Sequence, residues 1–134
     1  MTIAVDTSAL LARYIDGPER PVALAAMAAD PQWCASALAL SEALMLVDRI
    51  CADPADADAM RRALRDDWER IAVVPLDQRC LDTAAELGRT QPVRTVDALH
   101  LAAADRLPRP VTFLTFDPDQ IPVALGLGYD VIST

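Results

Sequence analysis

The stretch Thr2-Ile3-Ala4-Val5-Asp6-Thr7-Ser8-Ala9-Leu10-Leu11 changes character at a single residue. Residues 3–5 form a continuous apolar run of the kind found in a strand covered on both faces. From Ala9 onward the apolar residues recur at helical spacing, through Tyr14-Ile15. Asp6 stands at the junction, where a carboxylate is suited to capping the helix that follows. A strand buried on both faces needs helices above and below it, so these ten residues already point to an α/β sheet.

The same alternation repeats along the chain. After the loop Gly17-Pro18-Glu19-Arg20-Pro21, the pattern predicts a helix over 22–29, closed by Asp30-Pro31, and a short strand over 33–35. Residues 36–50 are apolar nearly all round, as in a helix buried on several sides. Asp53-Pro54 opens a helix of opposite character through Met60, Leu64 and Trp68, with Asp and Arg on its outer face. A strand over 71–76 follows. Asp77 is placed to cap a helix over 79–87 that Gly88 would end. A helix over 95–107 stops at Pro108 and Pro110. A strand over 111–115, a partial helix over 120–127 and a strand over 129–132 complete the pattern. The expected architecture is a three-layer α/β/α sandwich with a mostly parallel central sheet, formed by residues 1–134 as a single domain.

At 134 residues, with 53% hydrophobic and 24% charged side chains, the composition is that of a folded globular chain. It holds no apolar run of the ~18 residues that a membrane span requires. Asp and Glu number 20 against 12 basic residues, a formal net charge of -8, and all 12 basic residues are Arg. The lack of Lys excludes a P-loop and any Schiff-base chemistry. It also disfavours response-regulator receivers and dehalogenase-like phosphatases, both of which use a Lys. The acidity argues against a broad basic face for nucleic acid, so a nucleic-acid substrate would need positive charge from elsewhere. Cys34, Cys51 and Cys80 are odd in number and too scattered for a disulfide framework or a zinc site. The first residues show no basic segment followed by an apolar one, and a reducing cytoplasm is the expected setting.

Ligands of an open parallel sheet bind beyond the carboxyl ends of its strands. Asp6 follows the first strand and Asp117 lies two residues past Leu114-Thr115, at the end of a later one. If those strands pair, about 4.8 Å apart, their trailing carboxylates lie close enough to share a cation. Either acid alone reads equally well as a helix cap. Two further acids stand in apolar surroundings: Glu42 is the only charged residue between Trp33 and Val47, and Asp97 is the sole acid between Thr90 and Ala104. Burying an unpaired carboxylate costs several kcal/mol or forces its protonation, and a cation removes that problem. By contrast Asp53, Asp56, Asp58, Asp66 and Asp67 lie among Arg and read as a solvated face. An all-oxygen donor set selects hard ions, Mg²⁺ or Mn²⁺. One or two such ions would supply the positive charge that the surface lacks, in the manner of metal-assisted phosphodiester cleavage.

Ala4-Val5-Asp6-Thr7-Ser8-Ala9-Leu10-Leu11, Ser41-Glu42-Ala43-Leu44, Thr95-Val96-Asp97-Ala98-Leu99-His100-Leu101-Ala102-Ala103-Ala104 and Leu114-Thr115-Phe116-Asp117 resemble, in order and spacing, the motifs of the PIN-domain family. More narrowly they look like the VapC toxins of bacterial toxin-antitoxin pairs, as does the C-terminal Leu127-Gly128-Tyr129-Asp130-Val131. The resemblance implies that Asp6, Glu42, Asp97 and Asp117 are metal-binding catalytic acids supported by the hydroxyls of Ser8 and Thr115, with Asp119 a further acid in the same loop. It implies a magnesium-dependent endoribonuclease that cuts a structured tRNA or rRNA to leave a 5′-phosphate and a 3′-hydroxyl. It also implies a VapB-like antitoxin partner and a homodimer. The alternatives are a silent PIN-like protein-binding module and an unrelated Mg²⁺-dependent phosphatase.

The remaining polar residues carry weaker signals. His100, three residues after Asp97, is a candidate proton shuttle, but flanked by Leu and Ala it reads rather as a packed helix residue with its ring N–H satisfied. Arg89 and Arg94 flank the Asp97 helix and are candidate contacts for RNA phosphates or surface residues. Arg13 is a third such candidate, or a partner of Asp16.

Overall fold

The computed structural model describes residues 2–134. Along them run β1 (Thr2–Val5), α1 (Thr7–Ala12), α2 (Glu19–Ala29), β2 (Gln32–Ser36), α3 (Leu38–Ile50), α4 (Pro54–Trp68), β3 (Ile71–Val74), α5 (Gln78–Thr90), α6 (Thr95–Asp105), β4 (Val111–Leu114), α7 (Ile121–Gly126) and β5 (Asp130–Ile132). The strands form one sheet in the order β3-β2-β1-β4-β5, and every pairing is parallel. The expected α/β/α sandwich is present, with a sheet parallel throughout.

Strand periodicity divides the core in two. Ile3 and Val5 of β1 pack on one face with Leu10 of α1, Met27 of α2, Val47 of α3 and Leu64 of α4. Ala4, between them, faces the opposite layer with Cys80 of α5, Leu101 of α6, Phe113 of β4 and Val123 of α7. Right-handed crossovers explain the split. The chain moves outward from β1 through β2 to β3, then returns past β1 to β4 and β5. Reversing direction moves the connecting helices to the other face. The crossovers leaving β1 and β4 therefore diverge, and a crevice opens at the carboxyl ends of these two strands.

Several elements are shorter than the sequence pattern, among them β3, which ends at Val74 rather than residue 76, and α6, which ends at Asp105 rather than residue 107. Three other boundaries differ for a clear local reason. Gly88 does not end α5, which continues to Thr90; Gln91, extended at φ -129° and ψ 151°, ends it instead. Gln91 precedes Pro92, and a residue before proline is pushed out of the α region. Helix α2 begins at Glu19, so Pro21 lies in its first turn, where a missing N–H costs nothing. Ser36 closes β2 rather than opening α3, and its hydroxyl accepts from the Leu38 N–H at 3.1 Å. Among the described residues no helix is long and apolar enough to cross a membrane.

Candidate active site

Asp6 sits at the carboxyl end of β1 and caps α1. Its Oδ1 accepts the Ala9 N–H at 2.9 Å and the Ser8 hydroxyl at 2.7 Å. Its Oδ2 accepts the Thr115 hydroxyl at 2.6 Å and the Gln120 amide at 3.0 Å. The two hydroxyls also reach back to the loop after β4: Ser8 Oγ accepts the Phe116 N–H at 2.9 Å and Thr115 Oγ1 the Asp117 N–H at 3.0 Å. One buried carboxylate thus locks two strand ends together. Burial pushes the Asp6 carboxyl above the usual range, and the bonds from Thr115, Ser8 and Ala9 oppose that rise.

Asp97 occupies the first turn of α6 and is buried. Its bonds are long: Gln120 Nε2 donates to Oδ1 and Arg94 Nε to Oδ2, both at 3.4 Å. Burial raises its pKa, the negative charge of Asp117 adds to the rise, and Arg94 counters it. Asp117 Oδ1 accepts the Asp119 N–H at 2.9 Å, which fixes the turn after β4. Glu42, on α3, accepts the Thr7 hydroxyl at 2.6 Å and faces His100 Nε2 at 2.7 Å through the same oxygen. An ionised carboxylate only accepts, so this ring nitrogen carries the proton. The His100 bond holds Glu42 below the usual carboxylate range, against the opposing effect of burial.

All four acids line one cavity of about 590 Å³ at the crevice between β1 and β4, together with Thr7, Ser8, Arg94, His100 and Gln120. The PIN domain family model matches residues 3–124, which take in four of the five strands, helices α1 to α6 and the start of α7. The chain belongs to the PIN-domain family. No curated protein matches the sequence closely. Among solved structures, this PIN domain is similar to VapC20 of Mycobacterium tuberculosis, a toxin that cleaves the sarcin-ricin loop: 22% identity over 90% of this chain and 94% of that one, with a TM-score of 0.71. A toxin-antitoxin complex from Klebsiella pneumoniae aligns at 17% identity over 97% of this chain and 95% of that chain, TM-score 0.72. VapBC-5 of Mycobacterium tuberculosis aligns at 20% identity over 99% and 98%, TM-score 0.65. At these identities the likeness is one of fold.

Four carboxylates on one cavity fit a hard divalent cation by donor chemistry. The fit extends to charge, because Asp6 and Asp97 carry raised pKa values that an adjacent cation would relieve. In the present arrangement, among the described residues, no three His, Cys, Asp or Glu side chains stand ready to hold a metal. Asp6 already accepts four donors and one Glu42 oxygen is held by two groups of the protein itself.

The PIN domain does not bring every candidate to this cavity. Arg13 pairs with Asp67 at 3.2 Å rather than Asp16, and its guanidinium lies 4.7 Å from the Trp33 ring centroid. Asp67 also accepts the Tyr14 hydroxyl at 2.5 Å, so it belongs to a packed cluster and not to the solvated face expected from its neighbours. Arg13→Ala is therefore expected to lower stability by about 1–2 kcal/mol, through lost packing and hydrogen bonding. Urea unfolding of the variant beside wild type checks this; an unchanged unfolding midpoint would mean that the cluster holds without Arg13. Arg89 pairs with Glu86 at 2.6 Å on the exposed face of α5, and Asp119 is exposed outside the cavity. Arg94 does line the cavity mouth, with its side chain 78% exposed.

Thr7 and Gln120 of the PIN site escaped the sequence reading, in which His100 is chiefly a packed helix residue. His100 is a wall of the cavity bonded to Glu42, while its Nδ1 is buried without a partner, so its ring is only half satisfied. Thr7 supplies the second donor to Glu42. These two groups, rather than a cation alone, meet the need of a carboxylate on an apolar helix. Gln120, 1% exposed, joins Asp6 to Asp97. No local signal marks Gln120: it follows the polar loop Asp117-Pro118-Asp119 and opens a helix, where a polar side chain is ordinary.

Proposed function

We propose that this PIN domain is a divalent-metal-dependent endoribonuclease, the toxin of a toxin-antitoxin pair, whose site comprises Asp6, Glu42, Asp97 and Asp117. The single observation that carries the reading is the convergence of these four acids on one cavity at the switch point of a PIN fold. Asp6, Asp97 and Asp117 would hold Mg²⁺ or Mn²⁺, one ion or two, with Glu42 a further ligand or an orienter of water. When bound, the cation supplies Lewis-acid stabilisation of the phosphodiester and makes water nucleophilic at neutral pH.

The residues of the chain do the rest. Ser8 and Thr115 fix both oxygens of Asp6. His100 keeps Glu42 ionised and facing the cavity, where a carboxylate can accept a proton from water. Arg94, exposed at the mouth and bonded to Asp97 only at 3.4 Å, is placed to meet an RNA phosphate. With a net charge of -8 the protein lacks a general basic field, so affinity for RNA rests on the metal and a few Arg.

The structural likeness to VapC20, a sarcin-ricin-loop-cleaving toxin, and to toxin-antitoxin complexes supports a structured tRNA or rRNA target and a VapB-like antitoxin; a homodimer acting in the cytoplasm completes the reading. The test is incubation of partner-free protein with total RNA. Cleavage with Mg²⁺ or Mn²⁺ that stops on addition of EDTA and leaves 5′-phosphate ends is expected. Inactivity across the whole pool under both metals would overturn the nuclease reading in favour of a protein-binding PIN module.

A further inference from the structure

We infer that Gln120 is a built-in competitor for the metal: its carboxamide stands in for a cation between Asp6 and Asp97 and must leave Asp6 before a divalent ion can bind there. The inference rests on the metal-site reading above and assigns a role to a residue outside the acidic set.

Asp6 is saturated. A carboxylate offers about four lone-pair sites, and Ser8, Ala9, Thr115 and Gln120 take one each. A metal can therefore join Asp6 only by displacing a donor. Three of the four are poor candidates to leave. The Ala9 N–H belongs to the helix that Asp6 caps, and Ser8 and Thr115 are short side chains whose hydroxyls also accept the Phe116 and Asp117 N–H groups. Releasing either would orphan a loop amide as well. Gln120 makes the longest of the four bonds, at 3.0 Å, and shares its amide with Asp97 at 3.4 Å. It has three side-chain torsions and nothing else holding its amide, because Oε1 is buried without a partner.

The arrangement also explains why two buried carboxylates tolerate each other. The N–H₂ end of an amide carries partial positive charge, and here it faces both acids where a cation would balance them fully. The unpartnered Oε1 is the cost of that orientation: with nothing to pair it, the amide is held by the acids alone. A stronger positive charge should win the exchange, with Gln120 setting how much affinity is spent on displacement.

The test is Mn²⁺ titration by calorimetry on the purified protein, comparing wild type, Gln120→Met and Gln120→Glu, with Asp97→Asn as a site control. Met keeps the length of the chain and removes the amide donor; Glu replaces that donor with an anionic oxygen. Gln120→Met is expected to bind Mn²⁺ about tenfold more tightly than wild type, the equivalent of one charge-assisted hydrogen bond no longer broken. Its metal-free melting temperature is expected to fall, because the two acids lose their shared donor. Gln120→Glu should bind at least as tightly as Gln120→Met. Binding that is unchanged or weaker in Gln120→Met, in a protein that still melts cooperatively, would overturn the inference and leave the metal site standing. Should Gln120→Met not fold, unchanged or weaker binding by Gln120→Glu overturns it likewise. If neither wild type nor either variant binds Mn²⁺ at millimolar concentration, the metal-site reading fails and this inference with it.

Discussion

Asp97→Asn is expected to abolish RNA cleavage while raising the melting temperature of the metal-free protein. The two effects have one origin. Asp97 is buried with only two long bonds, at 3.4 Å, and faces the charge of Asp117. Its folded pKa is raised, so the folded chain holds this proton more tightly than the unfolded chain. Stability therefore falls as pH rises from the unfolded value near 3.8 up through the folded value, and is lowest where a nuclease works. An amide removes that charge without changing the shape. Relief of about 1 kcal/mol corresponds to a rise of roughly 3–5 °C in a domain of this size. On the proposed function, loss of an acid that would hold the metal should cost about 10²–10³-fold or more in cleavage. Measured from acid to neutral pH, the melting temperature of the variant should separate upward from that of wild type. A variant that cuts RNA at wild-type rate removes Asp97 from the chemistry. One that is inactive but no more stable at neutral pH shows that its charge is already neutralised within the fold.

That coupling of strain to site also explains which parts of the molecule were legible in the sequence. The sheet was, because continuous apolar runs such as Ile71-Ala72-Val73-Val74 have few alternatives to a covered parallel strand, and proline fixed several helix ends. The acids were legible for the same reason: Glu42 and Asp97 violate the apolar pattern around them. The donors that answer those acids were not, because their meaning depends on residues far away in the chain. Thr7 lies 35 residues from Glu42, His100 lies 58 from it, and Gln120 lies 114 from Asp6. Each looks locally like a helix residue of no special kind. Arg13 failed in the opposite sense. Proximity to Asp16 suggested a local pair, whereas the fold brings Arg13, at the end of α1, beside Asp67 of α4, and Asp16 pairs with Arg20 instead. Period and composition report how a residue meets its own element; only the crossovers decide what it meets across the sheet.

Thr115→Val is expected to cost about 2–4 kcal/mol of stability at neutral pH, far more than a surface Thr would, since it removes one bond to a charged group and strands one backbone amide. Thr115 is fully buried; it donates to Asp6 at 2.6 Å and accepts the Asp117 N–H at 3.0 Å. Its bond is the largest of those that oppose the rise in the Asp6 pKa. Without it the folded Asp6 carboxyl titrates higher still, and the folded state holds its proton over a wider pH range than the unfolded chain does. Above the wild-type folded value the variant goes on losing stability with rising pH after wild type has levelled off. The deficit should therefore be largest near neutral pH and shrink toward about pH 4, where a protonated Asp6 no longer needs a charge-assisted donor. The part of the cost due to the stranded Asp117 amide does not titrate and should persist in acid. Thr115→Ser keeps the hydroxyl and should restore most of the pH-dependent part, losing only the methyl contact. Urea unfolding of the three proteins at two pH values separates the contributions. A deficit of the same size in acid and at neutrality would mean that Thr115 acts through packing and the Asp117 amide, and that its bond to Asp6 adds nothing.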